Sequence, residues 1–327
     1  MNYRSFGKDG VQISEVGLGC WQIGGNWGEV EESTAREILK ASLDNGVNFL
    51  DTADVYGDGR SETIIGEYFA GRTDDLFIAT KVGRGEGIYP DLYSMETISL
   101  RIENSLRRLK TEALDLVQTH CIPLNEMQNG ETYDCLRELQ RQGKIIRFGA
   151  SVETMEEANW AIDHIPDLYS LQIIFNIFRQ KPVAELFENA KSHNTGILAR
   201  VPLASGLLSG KMTTDSSFGE SDHRNFNRDG QAFNVGETFA GLPYETGIEL
   251  VEQLRAFKEP TLPMAQWALR WILDHNAIST VIPGASKVSQ AEGNTKASKL
   301  DSLSPETHLA LTDFYESKIK AHIRGPY

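Results

Sequence analysis

Short apolar runs alternate with amphipathic segments along this chain, and the alternation repeats eight times. A short apolar run bounded by turn residues reads as a buried strand, and apolar residues at three- and four-residue spacing read as one face of a helix. The runs are Val16–Cys20, Val47–Asp51, Leu76–Lys81, Leu114–His120, Ile145–Ala150, Leu171–Asn176, Ile197–Val201 and Ser279–Ile282. Helical patterns fall at Ser33–Asn45, from Ser61, across Ile98–Leu109, about Tyr133–Gln142, Met155–His164, Pro182–His193, Ala265–His275 and from about Ser289. Ser33 is a candidate cap for the first helix, and Gly46 ends it. Parallel strands joined by helices need both sheet faces covered. Eight such units can close into a (β/α)8 TIM barrel. The rival, an open doubly wound sheet, is disfavoured because no Gly-rich first turn and no second-domain boundary are visible. The expected fold class is therefore α/β, with residues 1–327 forming a single barrel domain.

Two segments stand outside the repeat. Phe6 to Ile13 reads as an N-terminal β-hairpin turning at Lys8-Asp9-Gly10. A long loop after strand 7, from Ser209 to about Pro243, is rich in Gly, Ser, Asn and Asp and carries Phe218, Phe226, Phe233 and Phe239. Loops of this length in compact domains are usually functional or disordered. A partly ordered flap over the site is expected, with a tolerated insertion as the alternative.

The 327 residues include 46 acidic and 32 basic side chains, a formal charge of −14. Such a surface repels nucleic acid and anionic lipid, so neither is an expected partner. No apolar run is long enough for a membrane span, and Met1–Phe6 lacks the regions of a signal peptide. Cys20, Cys121 and Cys135 are odd in number and form no Cys-x-x-Cys, which fits a reducing cytoplasm. Cys121 reads as a small buried filler rather than a reactive thiol. An anionic ligand would need a local basic pocket within this acidic body.

Some motifs mislead. Gly17-Leu18-Gly19 lacks the third glycine and the helix of a dinucleotide fingerprint. Ser205-Gly206-Leu207-Leu208-Ser209-Gly210-Lys211-Met212 fails as a phosphate loop at both ends. No metal-ligand cluster or nucleophile elbow is present, and no metal is expected. What remains lies at strand ends, where barrel enzymes place their chemistry. The second strand ends at Asp51, with Tyr56 in the loop beyond it. The third ends at Lys81 and the fourth at His120. Taken singly, each has a bland explanation as a loop cap, packing, surface charge or core histidine. Together they suit proton donation to a carbonyl oxygen. A lysine ammonium lowers a tyrosine pKa from its usual value of about 10, and a carboxylate fixes the lysine. No side chain supplies the electron pair, which makes a reduced nicotinamide the natural source.

These residues resemble the catalytic tetrad of the aldo-keto reductases. The likeness extends through Gly46-Val47-Asn48-Phe49-Leu50-Asp51-Thr52-Ala53-Asp54-Val55-Tyr56-Gly57, Thr80-Lys81-Val82, Asp115–His120, Pro202-Leu203-Ala204-Ser205-Gly206 and Ile282-Pro283-Gly284-Ala285-Ser286. It covers nearly the whole chain. It implies an oxidoreductase that transfers a hydride between NADP(H) and an aldehyde, ketone or sugar carbonyl. Tyr56 would be the general acid, Lys81 would lower its pKa, Asp51 would pair with Lys81, and His120 would orient the carbonyl. Ser151 and Gln172 would hold the carboxamide, with Asn176 close by. Pro202, Leu203, Ser205, Gly206 and Lys211 would line the pyrophosphate. Gly284, Ser286, Lys287, Gln290 and Asn294 would take the adenosine and 2′-phosphate, with Arg224 assisting.

Two positions depart from the family pattern. Arg200 stands where an aromatic ring usually stacks on the nicotinamide, and is expected to reach the pyrophosphate or the substrate instead. Gly293 replaces a common glutamate before Asn294, leaving Glu292 as a substitute. Trp21 is a candidate substrate wall or a packed aromatic. Tyr89 and Phe226 are further candidates, and Asp54 could bond a sugar hydroxyl. Two alternatives stay open: an NAD-dependent sugar or polyol dehydrogenase, and a cofactor-binding regulatory subunit like relatives attached to potassium channels. The partner is then a small molecule, and the protein a monomer or small homo-oligomer.

Overall fold

The computed structural model describes every residue except Asn26, Glu29, Thr73 and Asp74. Strands β1 (Tyr3–Phe6) and β2 (Val11–Ser14) pair antiparallel, with Phe6 opposite Val11. The parallel strands are β3 (Leu18–Gly19), β4 (Phe49–Asp51), β5 (Phe77–Val82), β6 (Leu116–His120), β7 (Phe148–Ser151), β8 (Ser170–Ile174), β9 (Gly196–Arg200) and β10 (Ile278–Val281). They lie side by side in chain order. Bridges from Val16 to Val281 and from Gly19 to Gly284 join the first strand to the last, so the sheet closes into the expected (β/α)8 barrel.

Strand periodicity explains how an apolar plug and a polar rim share one interior. Side chains two apart on a strand face the same side. Phe49, Phe77, Leu116 and Leu198 meet the hairpin residues Phe6 and Ile13 in one buried cluster at the barrel bottom. Counting upward in twos reaches Asp51, Lys81, His120 and Arg200. The hairpin is thus the floor. Phe6 is fully buried and makes edge contacts with Phe49, Phe77 and Tyr169 at ring separations of 5.8, 5.5 and 5.0 Å. The outward faces pack on the helices in a second, larger core.

Most helices follow the sequence pattern closely. Met155–His164 is capped reciprocally by Thr154 and Glu157. The first long helix is Glu32–Asp44, and its cap position is Glu31 without a side-chain bond, so Ser33 is inside the helix and does not cap it. The expected Pro182–His193 helix is broken at Leu186 into Lys181–Glu185 and Phe187–Ser192. Leu186 is buried at a backbone φ of −132°, outside helical values. Helices at Tyr244–Leu254 and Pro305–Phe314 were not expected from the repeat.

The 209–243 segment is folded over the rim. It contains a short helix, His223–Phe226, and tight turns at Val235–Glu237 and Phe239–Gly241. Its aromatics form its own small core: Phe239 is fully buried, Phe218 packs on it, and Phe226 meets Phe233 edge-on. Ser205 Oγ pins it, donating to the Glu237 carbonyl at 3.0 Å and accepting from Phe239 N at 3.1 Å. Arg324 ties it to the C-terminal segment through the carbonyls of Gly241, Leu242 and Arg228.

We propose that residues 1–327 form one folding unit around this barrel. Removing the floor should then weaken the whole. Phe6→Ala is expected to cost about 3–5 kcal/mol, read as a shifted but still single transition in denaturant unfolding. A separate early transition would show that the unit is divided.

Candidate active site

The rim is built from the last residues of consecutive strands. Lys81 is fully buried, and its Nζ donates to Asp51 Oδ2 at 2.7 Å, to the Thr52 carbonyl at 2.7 Å and to Tyr56 Oη at 3.2 Å. Gln172 Nε2 donates to the other Asp51 oxygen at 2.7 Å. Both carboxylate oxygens are therefore engaged. His120 meets Tyr56 edge-on at 5.8 Å. The four expected residues, Asp51, Tyr56, Lys81 and His120, do come together.

Local backbone geometry sets Tyr56 in place. Gly57 has φ +62°, and a Cβ there would overlap the Gly24 carbonyl. This close approach brings Tyr56 against the Trp21–Gly24 helix, where Trp21 stacks on it at 5.8 Å and 21°. Just beyond His120, Cys121 turns the chain with φ +49°. Cys121 is buried and burial raises its thiol pKa to about 11, so it is an inert filler.

Burial dominates the protonation states. It pushes Tyr56 up to about 12, and the charge of Lys81 only partly offsets it. This corrects the expectation of a lowered tyrosine pKa: the phenol is fully protonated at neutral pH. Burial disfavours the Lys81 ammonium, but the charge and hydrogen bonds of Asp51 and Tyr56 outweigh it and hold its pKa above the usual lysine value. Burial, then the positive charges of Arg84, Lys81 and Arg200, drives His120 well below its ordinary value. His120 is neutral, and its Nδ1 has no partner among the described residues.

A cleft runs from this centre across the rim. Ser151, Gln172, Arg200, Pro202, Leu203, Ser205 and Gly206 line one part of it. Gly284, Ser286 and Gln290 line the far end. A Cβ on Gly284 would collide with the Gln22 amide, so glycine there keeps the cleft open. Gln290 Oε1 accepts from Ser286 N, Ser286 Oγ and Lys287 N at 2.8, 3.1 and 3.1 Å. These donors converge at the start of the Val288–Thr295 helix, whose positive end favours an anion. Gln290 occupies a position that a phosphate oxygen suits. Asn294 is buried behind it and donates to the Gly284 carbonyl at 3.4 Å.

Several expected residues sit elsewhere. Asp54 does not line the cleft; it is buried beneath the rim and paired with Arg101 at 3.0 Å, and burial raises its carboxyl to about 6. Lys211 is exposed beyond the turn at Gly210 and points to no lining position. Asn176 holds the Val201 carbonyl instead of facing the cleft. Glu292 is exposed on its helix and does not line the cleft. Lys287 is exposed next to Ser286. Arg200 does not reach outward. It donates to the Val152 carbonyl at 3.1 Å and lies 3.5 Å from Glu237.

Of the cations expected to form a positive pocket beside Lys81, Arg200 and Arg224 are paired with carboxylates, while Lys211 and Lys287 are exposed. Lys81, Arg200, Arg84 and Arg224 all stand on this rim, but each has a carboxylate partner. Arg84 bonds Glu237 and Glu153 at 2.7 and 2.8 Å, and Arg224 grips Asp222 while lying 4.9 Å over Trp27. Glu237 is held well below the usual carboxylate range by Arg84 and Arg200 despite its burial. The 209–243 segment brings Glu237, Phe233, Asn234, Asp222 and His223 to the site. No spacing rule singles them out in the sequence.

No helix among the described residues is long and apolar enough to cross a membrane. A model of the Aldo/keto reductase family matches residues 15–316. An uncharacterized oxidoreductase of Bacillus subtilis, YqkF, is 32% identical over 98% of this chain and 99% of its own length. A probable voltage-gated potassium channel subunit beta of Arabidopsis thaliana is 30% identical, with 91% of both chains covered. Among solved structures, a glycerol dehydrogenase from Gluconobacter oxydans aligns with a TM-score of 0.78 and 29% identity, over 100% of this chain and 97% of that one. With the barrel, the buried tetrad and a family match spanning most of its length, this chain belongs to the aldo/keto reductase family.

Proposed function

We propose that this protein is an NADP(H)-dependent oxidoreductase of small carbonyl compounds in which Tyr56 is the general acid and base. The observation that carries this reading is the Lys81 ammonium, 3.2 Å from the Tyr56 hydroxyl and held by Asp51 and Thr52.

The cleft suits a nicotinamide dinucleotide. Ser151 and Gln172 present polar side chains beside the tetrad, as a carboxamide needs. Ser205 and Gly206 follow at the middle, and Ser286, Lys287 and Gln290 form the anion-favouring end. When bound, the nicotinamide would supply the hydride. The chain does the rest. Trp21 and the 209–243 segment cover the centre and exclude water, which strengthens every charge interaction within it. His120, neutral and lining the cleft, hydrogen-bonds the carbonyl oxygen. Tyr56 holds the proton until negative charge develops on that oxygen, and then gives it up. Lys81 stabilises the phenolate that remains, and Asp51 keeps Lys81 in position. In the reverse direction Tyr56 takes the alcohol proton. Arg200 lies beside Glu237, so the carboxylate balances a cation that would otherwise disfavour an oxidised, positively charged nicotinamide.

The channel-subunit relative supports a second reading, a regulatory protein on the same scaffold. A complete tetrad favours turnover. An assay with NADPH and a panel of aldehydes, ketones and sugars, following nicotinamide absorbance, separates the two: tight cofactor binding without any turnover would select the regulatory reading.

Tyr56→Phe is expected to lower kcat by about 10²–10⁴-fold with cofactor affinity unchanged. Near-wild-type activity would remove Tyr56 from its role. Alcohol oxidation by the wild type should rise with pH through the alkaline range, because Tyr56 must lose its proton to act as base and its pKa lies near 12. His120 should add no acid limb between about pH 5.5 and 8, since its pKa lies well below the usual value near 6.5. For cofactor choice, Lys287→Ala should weaken NADPH binding by about tenfold and leave NADH almost unchanged. Equal weakening, measured by fluorescence titration, would exclude Lys287 from 2′-phosphate recognition.

A further inference from the structure

A second cavity, of 340 Å³, opens beside Tyr56 and His120 and shares Trp21, Tyr56, His120 and Glu237 with the cleft. That volume suits a small molecule. Its two sides differ in chemistry. Trp21, Val55, Tyr89 and Phe233 form an apolar side, and Arg84, Glu153, Asn234 and Glu237 form a polar one.

Arg84 organises the polar side. Its Nη1 bonds Glu237 and its Nη2 bonds Glu153, while its guanidinium lies 5.5 Å over the Phe233 ring. Asn234 Nδ2 donates to the other Glu153 oxygen at 2.8 Å. The Glu153 backbone is itself anchored, since its N–H donates to Glu157 Oε2 at 2.8 Å. The single guanidinium in this wall is therefore shared between two carboxylates. It cannot offer the bidentate grip by which arginine usually captures an anion. A substrate carboxylate or phosphate placed here would lie against Glu153, with no unpaired cation among the described lining residues to balance it.

Neutral hydroxyl groups meet the opposite situation. Carboxylate oxygens have more than one acceptor direction, so Glu153 can still accept from a ligand hydroxyl. An alkyl chain in the same place would strip water from the carboxylates and return no hydrogen bond. The reacting end is marked independently: Tyr56 and His120 both line this cavity, and His120 is buried. A carbonyl at His120 and Tyr56 leaves the rest of a short substrate along Glu153. Of the two carboxylates, Glu237 also borders the cofactor cleft, whereas Glu153 faces this cavity alone.

We propose that Glu153, held by Arg84 and Asn234, is the specificity-determining residue of the substrate cavity. It admits short, neutral, polyhydroxylated carbonyl compounds and their polyols, and it rejects the phosphorylated or carboxylated counterparts. This rests on the oxidoreductase reading above.

The test compares matched ligands on the NADP⁺-loaded protein. Binding of glycerol, glycerol 3-phosphate and 1-propanol is measured by ligand-observed NMR, in parallel with turnover of glyceraldehyde, glyceraldehyde 3-phosphate and propanal with NADPH. The wild type should prefer the neutral hydroxylated ligand over both others by at least about tenfold. Glu153→Gln should bring the discrimination against phosphate to about threefold or less, with NADP⁺ affinity unchanged. Equal wild-type binding of glycerol and glycerol 3-phosphate would overturn the proposal, as would an unaltered preference in Glu153→Gln. If that variant does not fold, the wild-type comparison decides alone. Intact binding discrimination without turnover of any carbonyl would refute the oxidoreductase reading and leave the role of Glu153 standing.

Discussion

The buried contact between Lys81 and Asp51 is the interaction on which the rest of the site depends. Both side chains are almost completely withdrawn from water, and the ion pair is 2.7 Å long. Moving two charges out of water costs several kcal/mol, and leaving one of them unpaired costs about 3–5 kcal/mol. The pair survives because the barrel surrounds it with further partners: the Thr52 carbonyl and Tyr56 on the lysine, and Gln172 on the aspartate. Thr52 and Tyr56 come from the loop after β4, Lys81 from β5 and Gln172 from β8. Closing the barrel and completing the charge pair are therefore one event, and the tyrosine proton sits at its exposed end.

The same economy recurs across the rim. Arg84, Arg200 and Arg224 are each matched to carboxylates, and most of those carboxylates come from the loop after β7 and the 209–243 segment. The segment is consequently part of the site's electrostatics rather than a cover laid over it. Glu237 lies against two arginines, Phe233 stacks beneath one of them, and Ser205 fastens the backbone between. Without this segment Arg200 would lose its carboxylate, while Lys81 and Arg84 would keep Asp51 and Glu153. With it, Arg84, Arg200 and Arg224 each face a carboxylate.

Much of the architecture was legible because strands and helices carry periods. Eight apolar runs gave eight barrel strands, and the position of Asp51, Lys81 and His120 at three successive strand ends marked the chemistry. Boundaries slipped where local signals compete. Ser33 looked like a cap, yet the helix begins one residue before it. Pro182–His193 looked continuous, yet Leu186 breaks it to stay buried. Asp54, three positions after Asp51, looked like a ligand for sugar hydroxyls, but its neighbour in space is Arg101, 47 positions away in the chain.

By itself the sequence determined the fold class, the hairpin floor and the tetrad, because each depends on residue order along a strand or on a motif of adjacent residues. Only the tertiary structure decided the protonation states and the charge balance of the site. Those depend on burial and on pairs such as Arg84 with Glu237, whose members are 153 residues apart. The Tyr56 pKa illustrates the division. Placement at the rim beside the strand that ends at Lys81 suggests a lowered value, but the depth at which the barrel buries the phenol raises it, since desolvation acts on the whole side chain and one nearby charge offsets only part of it.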